Sequence, residues 1–269
     1  MKIAAIQMVS SPDVAQNLTT ARALLAEAAA QGAKLAALPE YFCLMGEQDT
    51  DKLAVAEAPG DMNAATAPIQ KMLADAAREL GLWIIGGTLP LTTATPGKVR
   101  NACCVFAPDG TQAARYDKIH LFCYDNGRDQ YDEGRVLEAG DAPVAVQAGP
   151  LRIALSVCYD LRFPELFRSL PPADLLSVPA AFTYTTGEKH WELLLRARAV
   201  ENQAYVIAAA QGGRHENGRR TWGHTMIVDP WGEVLACLPE GEGVVSAVID
   251  PARLAQVRQQ LPALRHRML

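Results

Sequence analysis

The chain has 269 residues, of which 49% are hydrophobic and 20% charged, and its formal net charge at pH 7 is -5. This composition allows a sizeable core, and a negative chain without a lysine-rich run excludes a basic surface for nucleic acid, so we expect a small-molecule substrate. The first apolar stretch is too short for a signal peptide and no window is long enough for a membrane span. The sequence therefore predicts one cytoplasmic domain, 1–269, with no membrane partner.

The first half of the chain alternates short strands rich in Ile, Val and Leu with alanine-rich segments of helical period, which is typical of an α/β protein. Turn signals at Leu38-Pro39, Gly86-Gly87 and Pro108-Asp109-Gly110 separate these segments. The predicted elements are, in chain order, a strand at 2–8, a helix at 16–31, a strand at 34–38, a helix at 63–80, and strands at 82–88, 101–107 and 112–118.

The second half repeats this order. Its turn signals also correspond, since Val178-Pro179, Gly212-Gly213 and Pro230-Trp231-Gly232 stand at the same places. The repetition predicts two sheets packed face to face with helices outside, a four-layer α-β-β-α sandwich with an internal pseudo-two-fold duplication. The predicted elements are a strand at 151–157, a helix at 163–170, a strand at 174–178, a helix at 189–204, and strands at 205–211, 222–229 and 233–238.

Three reactive side chains lie at the predicted ends of strands. Glu40 follows the second strand of the first half, Lys118 ends its last strand, and Cys158 follows the first strand of the second half. Ligands of open α/β sheets bind outside the carboxyl ends of strands, so we expect the three to share one site. Cys158 also precedes a predicted helix, where free backbone N–H groups are expected to lower its pKa and to hold an oxyanion.

The six cysteines contain no CxxC pair, which argues against a disulfide framework and against a zinc site. Most are expected to be buried thiols. Cys103 and Cys104 are adjacent in a predicted strand, so their side chains should point to opposite faces. We expect no metal, because no His/Cys/Asp cluster has the spacing of metal ligands. We expect no other cofactor either, and the glycine pairs lack the lysine and the helix of a phosphate-binding loop.

Three motifs in a fixed order carry a family resemblance: LPEYF at 38–42, YDKIHLF at 116–122 and SVCYDLRFPE at 156–165. Together they resemble the nitrilase (carbon–nitrogen hydrolase) superfamily, whose Glu-Lys-Cys triad lies on an α-β-β-α sandwich, and the resemblance covers nearly the whole chain. CYDLRFPE with the later TTGEKHWELLLRARAVENQAYV and WGHTMIVDPWGEV is similar to the Nit branch. Tyr159-Asp160 stand where true nitrilases carry a Trp-Glu pair, so an amide substrate is favoured over a nitrile.

The resemblance implies a division of labour among the site residues. Cys158 would attack as the nucleophile, Glu40 would transfer protons, and Lys118 with the backbone N–H of Tyr159 would hold the oxyanion. A histidine could replace the carboxylate as the base, and His120 lies close to Lys118 in sequence. The other candidates for a Cys-His pair are His190, His215, His224 and His266.

A fourth functional residue is implied, a glutamate that precedes a Gly-Asp pair by seven residues. Glu133 fits, because it lies seven residues before Gly140-Asp141. The preceding segment departs from the family pattern at Cys123, where relatives usually have an acid. Asp132 and Glu138 therefore stay open as alternatives to Glu133.

For the substrate, the resemblance implies a small 2-oxo acid amide, with deaminated glutathione favoured, 2-oxoglutaramate second and an N-carbamoyl amino acid as the alternative. Arg162 is a candidate for binding a substrate carboxylate, because a planar guanidinium can hold it through two hydrogen bonds. Its other interpretation is a structural ion pair with Asp160 or Glu165. The remaining predicted substrate-binding residues are Tyr159, Thr183 and Thr185.

An alternative to an enzyme is a catalytically idle protein that acts through its surface as a binding partner. The presence of all four functional residues argues against it. The resemblance implies a homodimer or a higher homo-oligomer. The apolar C-terminal segment 254–269 could join subunits, or it could be a helix that closes its own subunit.

Overall fold

The computed structural model describes residues 1–125, 127 and 130–268. The strands are, in chain order, β1 (Lys2–Gln7), β2 (Leu35–Ala37), β3 (Trp83–Ile85), β4 (Leu89–Thr92), β5 (Val99–Phe106), β6 (Gln112–Asp117), β7 (Cys123–Asp125), β8 (Gln130–Asp132), β9 (Ala145–Ala148), β10 (Leu151–Leu155), β11 (Leu175–Ser177), β12 (Tyr205–Ala208), β13 (Gly212–Arg214), β14 (Arg220–Trp222), β15 (Thr225–Val228), β16 (Val234–Leu238) and β17 (Gly243–Val248). The helices are α1 (Val14–Ala30), α2 (Asp51–Ala54), α3 (Pro68–Leu80), α4 (Pro164–Arg168), α5 (Tyr184–Asn202) and α6 (Pro251–Gln260).

Two large sheets have the same internal order. The first runs β17-β1-β2-β3-β5-β4, with β6 also paired to β5, and the second runs β16-β15-β12-β11-β10-β9. Each contains three neighbouring parallel strands, β1-β2-β3 and β10-β11-β12, and one strand pairs antiparallel with the third, β5 with β3 and β15 with β12. The predicted duplication is therefore present in the topology. Two short hairpins, β7–β8 and β13–β14, stand outside these sheets.

Alternating side chains of β1 define the layers. Ile3 packs in a core shared with Ile153 of the second sheet, whereas Ile6 packs with Leu25 of α1 and Leu73 of α3. Because successive strand residues point to opposite faces, one face of the first sheet meets the second sheet and the other meets helices. The predicted α-β-β-α sandwich is confirmed.

The observed bounds of several elements differ from the predicted ones. The predicted helix at 63–80 starts only at Pro68, where the buried Glu57 carboxylate accepts the N–H groups of Ile69 and Gln70 at 2.6 and 3.0 Å. The predicted helix at 189–204 begins five residues earlier, at Tyr184. The predicted strand at 222–229 is divided into β14 and β15, because Gly223 and His224 between them have positive φ.

The cysteines are placed largely as expected. Cys103 faces the core between the sheets and Cys104 faces the helices, as their alternation predicts. Cys43 and Cys158 are also buried, while Cys123 is exposed. Cys237 is exposed too. Within the described residues, no three His, Cys, Asp or Glu side chains group as metal ligands.

The C-terminal segment packs on its own subunit. Leu254 and Val257 of α6 are buried, and Arg258 donates to Ala173 O at 2.6 Å and pairs with Asp174 at 3.3 Å. These contacts favour the interpretation of 254–269 as a closing helix, although Leu269 lies outside the described residues. None of the helices in the described part of the chain is long and apolar enough to cross a bilayer.

Candidate active site

Glu40, Lys118 and Cys158 meet at one point between the two sheets. Lys118 Nζ lies 2.9 Å from Glu40 Oε1, and the Glu40 carboxylate is near enough to the Cys158 thiol to raise its pKa. Glu40 follows β2, Lys118 follows β6 and Cys158 follows β10, so the expectation that strand ends bring them together is correct. All three are buried.

Glu133 is the acid of the 132–138 segment that reaches Lys118. Both of its oxygens accept from Lys118 Nζ, at 3.0 and 2.8 Å. The backbone N–H of Phe122 donates to the same carboxylate at 2.7 Å and the Tyr41 hydroxyl at 2.8 Å. The two alternatives point elsewhere: Asp132 accepts from Gly134 N, and Glu138 pairs with Arg100.

Burial controls the protonation of this charged cluster. Burial raises the pKa of Glu40 above its ordinary value, and the positive charge of Lys118 opposes that shift. Burial alone would favour a neutral amine at Lys118, but the carboxylates of Glu133 and Glu40 outweigh it and raise the Lys118 pKa well above its ordinary value. Glu40 is further held by Asn101 Nδ2 at 2.9 Å and by the Ala181 N–H at 3.0 Å. An ammonium shared by two carboxylates is therefore fully hydrogen-bonded inside the protein.

The Cys158 pKa corrects an expectation drawn from the sequence. Burial, followed by the negative charge of Glu40, raises the pKa of the Cys158 thiol well above its ordinary value, rather than lowering it. The Cys158 N–H is also not free, since it donates to Pro179 O at 2.8 Å. The thiol is therefore protonated at rest and can become a nucleophile only as its proton passes to a base. Glu40 is the base that touches it.

Two residues of the site have strained backbones. Cys158 has φ 50° and Tyr41, next to Glu40, has φ 57°. A side chain larger than glycine in this left-handed region costs about 1–3 kcal/mol, and such strain concentrates where the surrounding structure fixes a functional group. At Cys158 the backbone strain occurs where the chain after β10 enters a 3-10 turn, Cys158–Arg162, so the thiol projects from a sharp bend.

Asp160 anchors this bend. It is completely buried and accepts from Tyr116 OH at 2.7 Å, from Val157 N at 2.8 Å and from His120 Nδ1 at 2.7 Å. Asp160 thereby ties the loop of Cys158 to the strand that leads to Lys118. His120 is occupied by this contact, so the alternative of a Cys-His pair has no support.

Sequence reasoning missed three residues that hold the site. Asn101 and Tyr41 contact Glu40 and Glu133 respectively, and Asp160 fixes the nucleophile loop. A signal existed for Asn101 alone, since it is a polar residue at the start of an otherwise apolar strand segment, NACCVF. Tyr41 and Asp160 stood inside the motifs that were recognised, but nothing local indicated their partners.

An open pocket leads to this cluster. It encloses about 710 Å³ of space including its solvent-filled mouth, which suits a small ligand. Of the predicted substrate-binding residues, Tyr159, Arg162 and Thr183 line it. Thr185 is exposed and lies outside the lining, which Thr186 joins instead, with its hydroxyl 2.8 Å from that of Thr183. Because α5 starts at Tyr184, residues three apart share its inner face and Thr185 points away.

Arg162 lacks the ion pair that its structural interpretation requires. Among the described residues it has no carboxylate partner within 4.0 Å, and its Nη1 lies 3.2 Å from His190 Nδ1. The guanidinium lies over the rings of Tyr159 and Phe182, 5.7 and 5.4 Å from their centroids. It is therefore a cation in the pocket wall that is fixed by aromatic rings and can accept an anionic ligand.

A thiol beside a buried carboxylate and a buried ammonium, at the base of an open pocket, defines an enzyme built for acyl transfer. Comparison with known proteins specifies the family. Residues 2–259 match the family model described as carbon-nitrogen hydrolase. The chain belongs to the carbon–nitrogen hydrolase family.

Its relatives match over nearly their whole length. A deaminated glutathione amidase of Synechocystis sp. is 44% identical, over 98% of this chain and 97% of that protein. An omega-amidase of Homo sapiens is 39% identical, over 99% of this chain and 94% of that protein. Both relatives act on amides, as their names state.

Solved structures extend the comparison to the fold. The C. elegans NitFhit protein matches with a TM-score of 0.88 and 35% identity, over 99% of this chain and 65% of that longer chain. An amidase from Nesterenkonia sp., a mutant of which carries a Michael adduct of acrylamide at its active site cysteine, matches with a TM-score of 0.78 and 26% identity, over 98% of this chain and 99% of that chain.

Proposed function

We propose that the protein is a cysteine-dependent amidase that hydrolyses small 2-oxo acid amides, with deaminated glutathione as its main substrate. The observation that carries this proposal is the Cys158 thiol beside Glu40 and Lys118 in a pocket whose wall contains Arg162. Cys158, Glu40 and Lys118 supply the acyl-transfer chemistry, and the arginine suits a substrate with a carboxylate remote from the scissile bond. The 44% identity to a deaminated glutathione amidase supports the choice of substrate.

The reaction begins with proton transfer within the Cys158–Glu40 pair. Cys158 Sγ attacks the amide carbon as Glu40 accepts its proton, which explains how a thiol of raised pKa can act near neutrality. Lys118 and the backbone N–H of Tyr159 hold the negative oxygen of the tetrahedral intermediate. Glu40 then delivers the proton to the departing amine, and a thioester remains on Cys158.

Water completes the cycle. Glu40, again a carboxylate, takes a proton from a water molecule that attacks the thioester carbon, and the free acid leaves as the Cys158 thiol is restored. Glu133 keeps Lys118 charged and oriented throughout, because both of its oxygens accept from Nζ. The chemistry proposed here requires no metal or other cofactor.

Arg162 would bind the 2-oxo acid end of the substrate. Its guanidinium is planar and lies over two rings, and it has no carboxylate partner among the described residues. A substrate carboxylate therefore meets a pre-oriented cation. Tyr159, Thr183 and Thr186 line the same pocket and would surround the chain between that carboxylate and the amide.

The second candidate is an omega-amidase activity on 2-oxoglutaramate, which the 39% identity to the human omega-amidase favours. The two substrates have the same acyl part and differ in the amine that leaves. N-carbamoyl amino acids would use the same cysteine, carboxylate and lysine.

One experiment separates these candidates. Purified enzyme is incubated with deaminated glutathione, 2-oxoglutaramate and carbamoyl-β-alanine, and the release of 2-oxoglutarate or ammonia is measured over a range of concentrations. We expect the highest kcat/KM with deaminated glutathione. A higher value with 2-oxoglutaramate would assign the omega-amidase activity, turnover of carbamoyl-β-alanine alone would assign the third, and no turnover of any would favour an idle binding protein.

We further propose that residues 1–269 act as one domain, in the cytoplasm, as a homodimer or a higher homo-oligomer. The family match over 2–259 supports a single domain, and cysteines that form no disulfide suit a reducing compartment. Large apolar side chains that are exposed on α5 and beyond β15 support association: Leu193, Val200 and Trp231. Light scattering on the purified protein measures the oligomeric state directly.

A further inference from the structure

Three arginines line the pocket, Arg162, Arg219 and Arg220, and the mechanism has no role for Arg219 or Arg220. We propose that Arg219 binds a carboxylate on the leaving amine of the substrate, so that the enzyme selects amides of amino acids and peptides over primary amides. This inference rests on the proposed function and concerns the same pocket.

Arg162 and Arg219 reach the pocket from different parts of the chain. Arg162 belongs to the turn of the nucleophile and contacts Phe182. Arg219 lies in the connection between β13 and β14, and its guanidinium lies over the ring of Tyr131, 5.4 Å from the centroid. Cys158, the nucleophile, lines the same pocket as both arginines. A nucleophile with Arg162 and Arg219 held by separate parts of the chain suits a substrate that has a negative charge on each side of the scissile bond.

Arg219 is available to a ligand. Its side chain is 33% exposed, and its ion pair with Asp49 is long, at 3.6 Å, to a carboxylate that is itself 44% exposed. Asp49 also pairs with Lys52, at 3.3 Å. An ion pair between exposed groups is weak in water, so a substrate carboxylate can take its place at little cost.

The position of Arg219 is also fixed in advance. Its backbone N–H donates to Asn217 Oδ1 at 3.0 Å, and Asn217 Nδ2 donates to Gly46 O at 2.6 Å. Its carbonyl accepts from His215 N at 2.8 Å. The turn that carries the arginine is thus tied to the loop after Glu40, and the Tyr131 ring restricts the guanidinium plane. A pre-oriented cation binds its anion with less loss of side-chain entropy.

The two candidate substrates differ in the feature that Arg219 would recognise. When Cys158 Sγ bonds to the carbonyl carbon and the C–N bond of deaminated glutathione breaks, the amine leaves as a cysteinylglycine dipeptide after taking a proton from Glu40. That dipeptide ends in a carboxylate. 2-Oxoglutaramate has the same acyl group but releases ammonia, which has none.

The test compares these two substrates in matched variants. Arg219→Gln removes the charge and keeps most of the side-chain volume. The control is Arg214→Gln. Arg214 is exposed, lies opposite Arg220 in the register of the β13–β14 hairpin and does not line the pocket. We expect the ratio of kcat/KM for deaminated glutathione to that for 2-oxoglutaramate to fall about tenfold or more in Arg219→Gln, mainly through KM, and to stay at the parental value in Arg214→Gln.

A second measurement changes the substrate instead of the enzyme. The parent enzyme is assayed with deaminated glutathione whose terminal carboxylate is replaced by a carboxamide, and a loss of about tenfold in kcat/KM is expected. The same replacement should cost Arg219→Gln much less. An unchanged ratio in Arg219→Gln, or a parent that is indifferent to the carboxamide, would overturn the inference. If the parent hydrolyses neither 2-oxo acid amide, the proposed function fails instead, so the two failures are distinguishable.

Discussion

The strands β2 and β11 hold the same place in their sheets, yet the residues that follow them do different work. β2 continues into Leu38-Pro39-Glu40 and β11 into Val178-Pro179-Ala180. The first turn supplies a buried carboxylate. The second supplies only backbone groups: Pro179 O accepts from Cys158 N, and Ala181 N donates to the carboxylate of Glu40. One half therefore carries the acid and the other holds it in position.

The first strands of the two sheets differ in the same way. Ile3 pairs with Leu35 in the first sheet and Ile153 with Leu175 in the second, and counting five residues onward from Ile3 and Ile153 makes Met8 the counterpart of Cys158. Met8 is buried and apolar, whereas Cys158 has a positive φ and a thiol that faces Glu40. The apolar strand residues determine a scaffold that both halves share, and single residues after the strands determine the chemistry.

The largest effect should come from the residue that differs most between the halves. Cys158→Ala makes this position as inert as Met8, so we expect kcat to fall by about 10⁴-fold or more while the melting temperature changes little. Cys237→Ala, on the exposed edge strand β16, is the matched control and should retain activity within about twofold. A Cys158→Ala enzyme with activity within about tenfold of the parent would exclude the thioester mechanism.

The second largest loss of activity is expected from a change in the turn after β2. Glu40→Gln keeps the side-chain volume but cannot accept the thiol proton, so kcat should fall by at least about 10²-fold in a folded protein. Glu57→Gln is a control from the same half, because Glu57 is also buried but caps α3 away from the pocket. It should lower the melting temperature and leave kcat within about threefold. Equal losses of kcat in both variants would mean that Glu40 acts only through the fold.

The same carboxylate predicts the acidic limb of the pH profile. Glu40 must be ionised to accept the thiol proton, and burial raises its pKa above the ordinary 4.5. As the pH falls through that raised pKa, Glu40 becomes protonated and kcat/KM should fall by about tenfold per pH unit. The profile is measured from pH 4 to 8 with the melting temperature recorded at each point. A limb centred at or below 4.5 would indicate that Glu40 is not the base.

The central strands of both sheets were predictable because each is a short apolar run that ends at a turn signal. The strand β17 was not, since its partner is β1, with Lys2 opposite Val248, and no local pattern encodes a pairing so distant in sequence. β4 and β9 were missed for a related reason: they are edge strands of four residues, too short for a periodic signal.

In the site, too, local sequence patterns predicted some features, and others depend on tertiary contacts. Motif order and strand ends were sufficient to bring Glu40, Lys118 and Cys158 together, while their catalytic roles stay predictions. The direction of the Cys158 pKa shift depends on burial and on a charge from the other half, neither of which is local. Thr186 lines the pocket in place of the predicted Thr185, and α5 begins at Tyr184, five residues before its predicted start.

The smallest expected effect concerns Arg162, whose counterpart by the same count from Ile3 and Ile153 is the uncharged Pro12. Its guanidinium lies over Tyr159 and Phe182 without a carboxylate partner among the described residues, so its positive charge is free to bind a substrate anion. Arg162→Lys retains that charge but loses the planar fork that can donate two parallel hydrogen bonds.

If Arg162 binds the 2-oxo acid carboxylate, Arg162→Lys should raise KM about tenfold for both deaminated glutathione and 2-oxoglutaramate, because the two share that end, and kcat should change less. The melting temperature should stay close to that of the parent, since no ion pair of the fold is lost. This outcome also differs from that of Arg219→Gln, which should affect only the substrate with a peptide leaving group. A lowered melting temperature with unchanged KM would show instead that Arg162 holds the turn of the nucleophile through its contacts with the rings and His190. The substrate carboxylate would then be bound by other groups of the pocket, of which Thr183 and Thr186 are the polar candidates beside it.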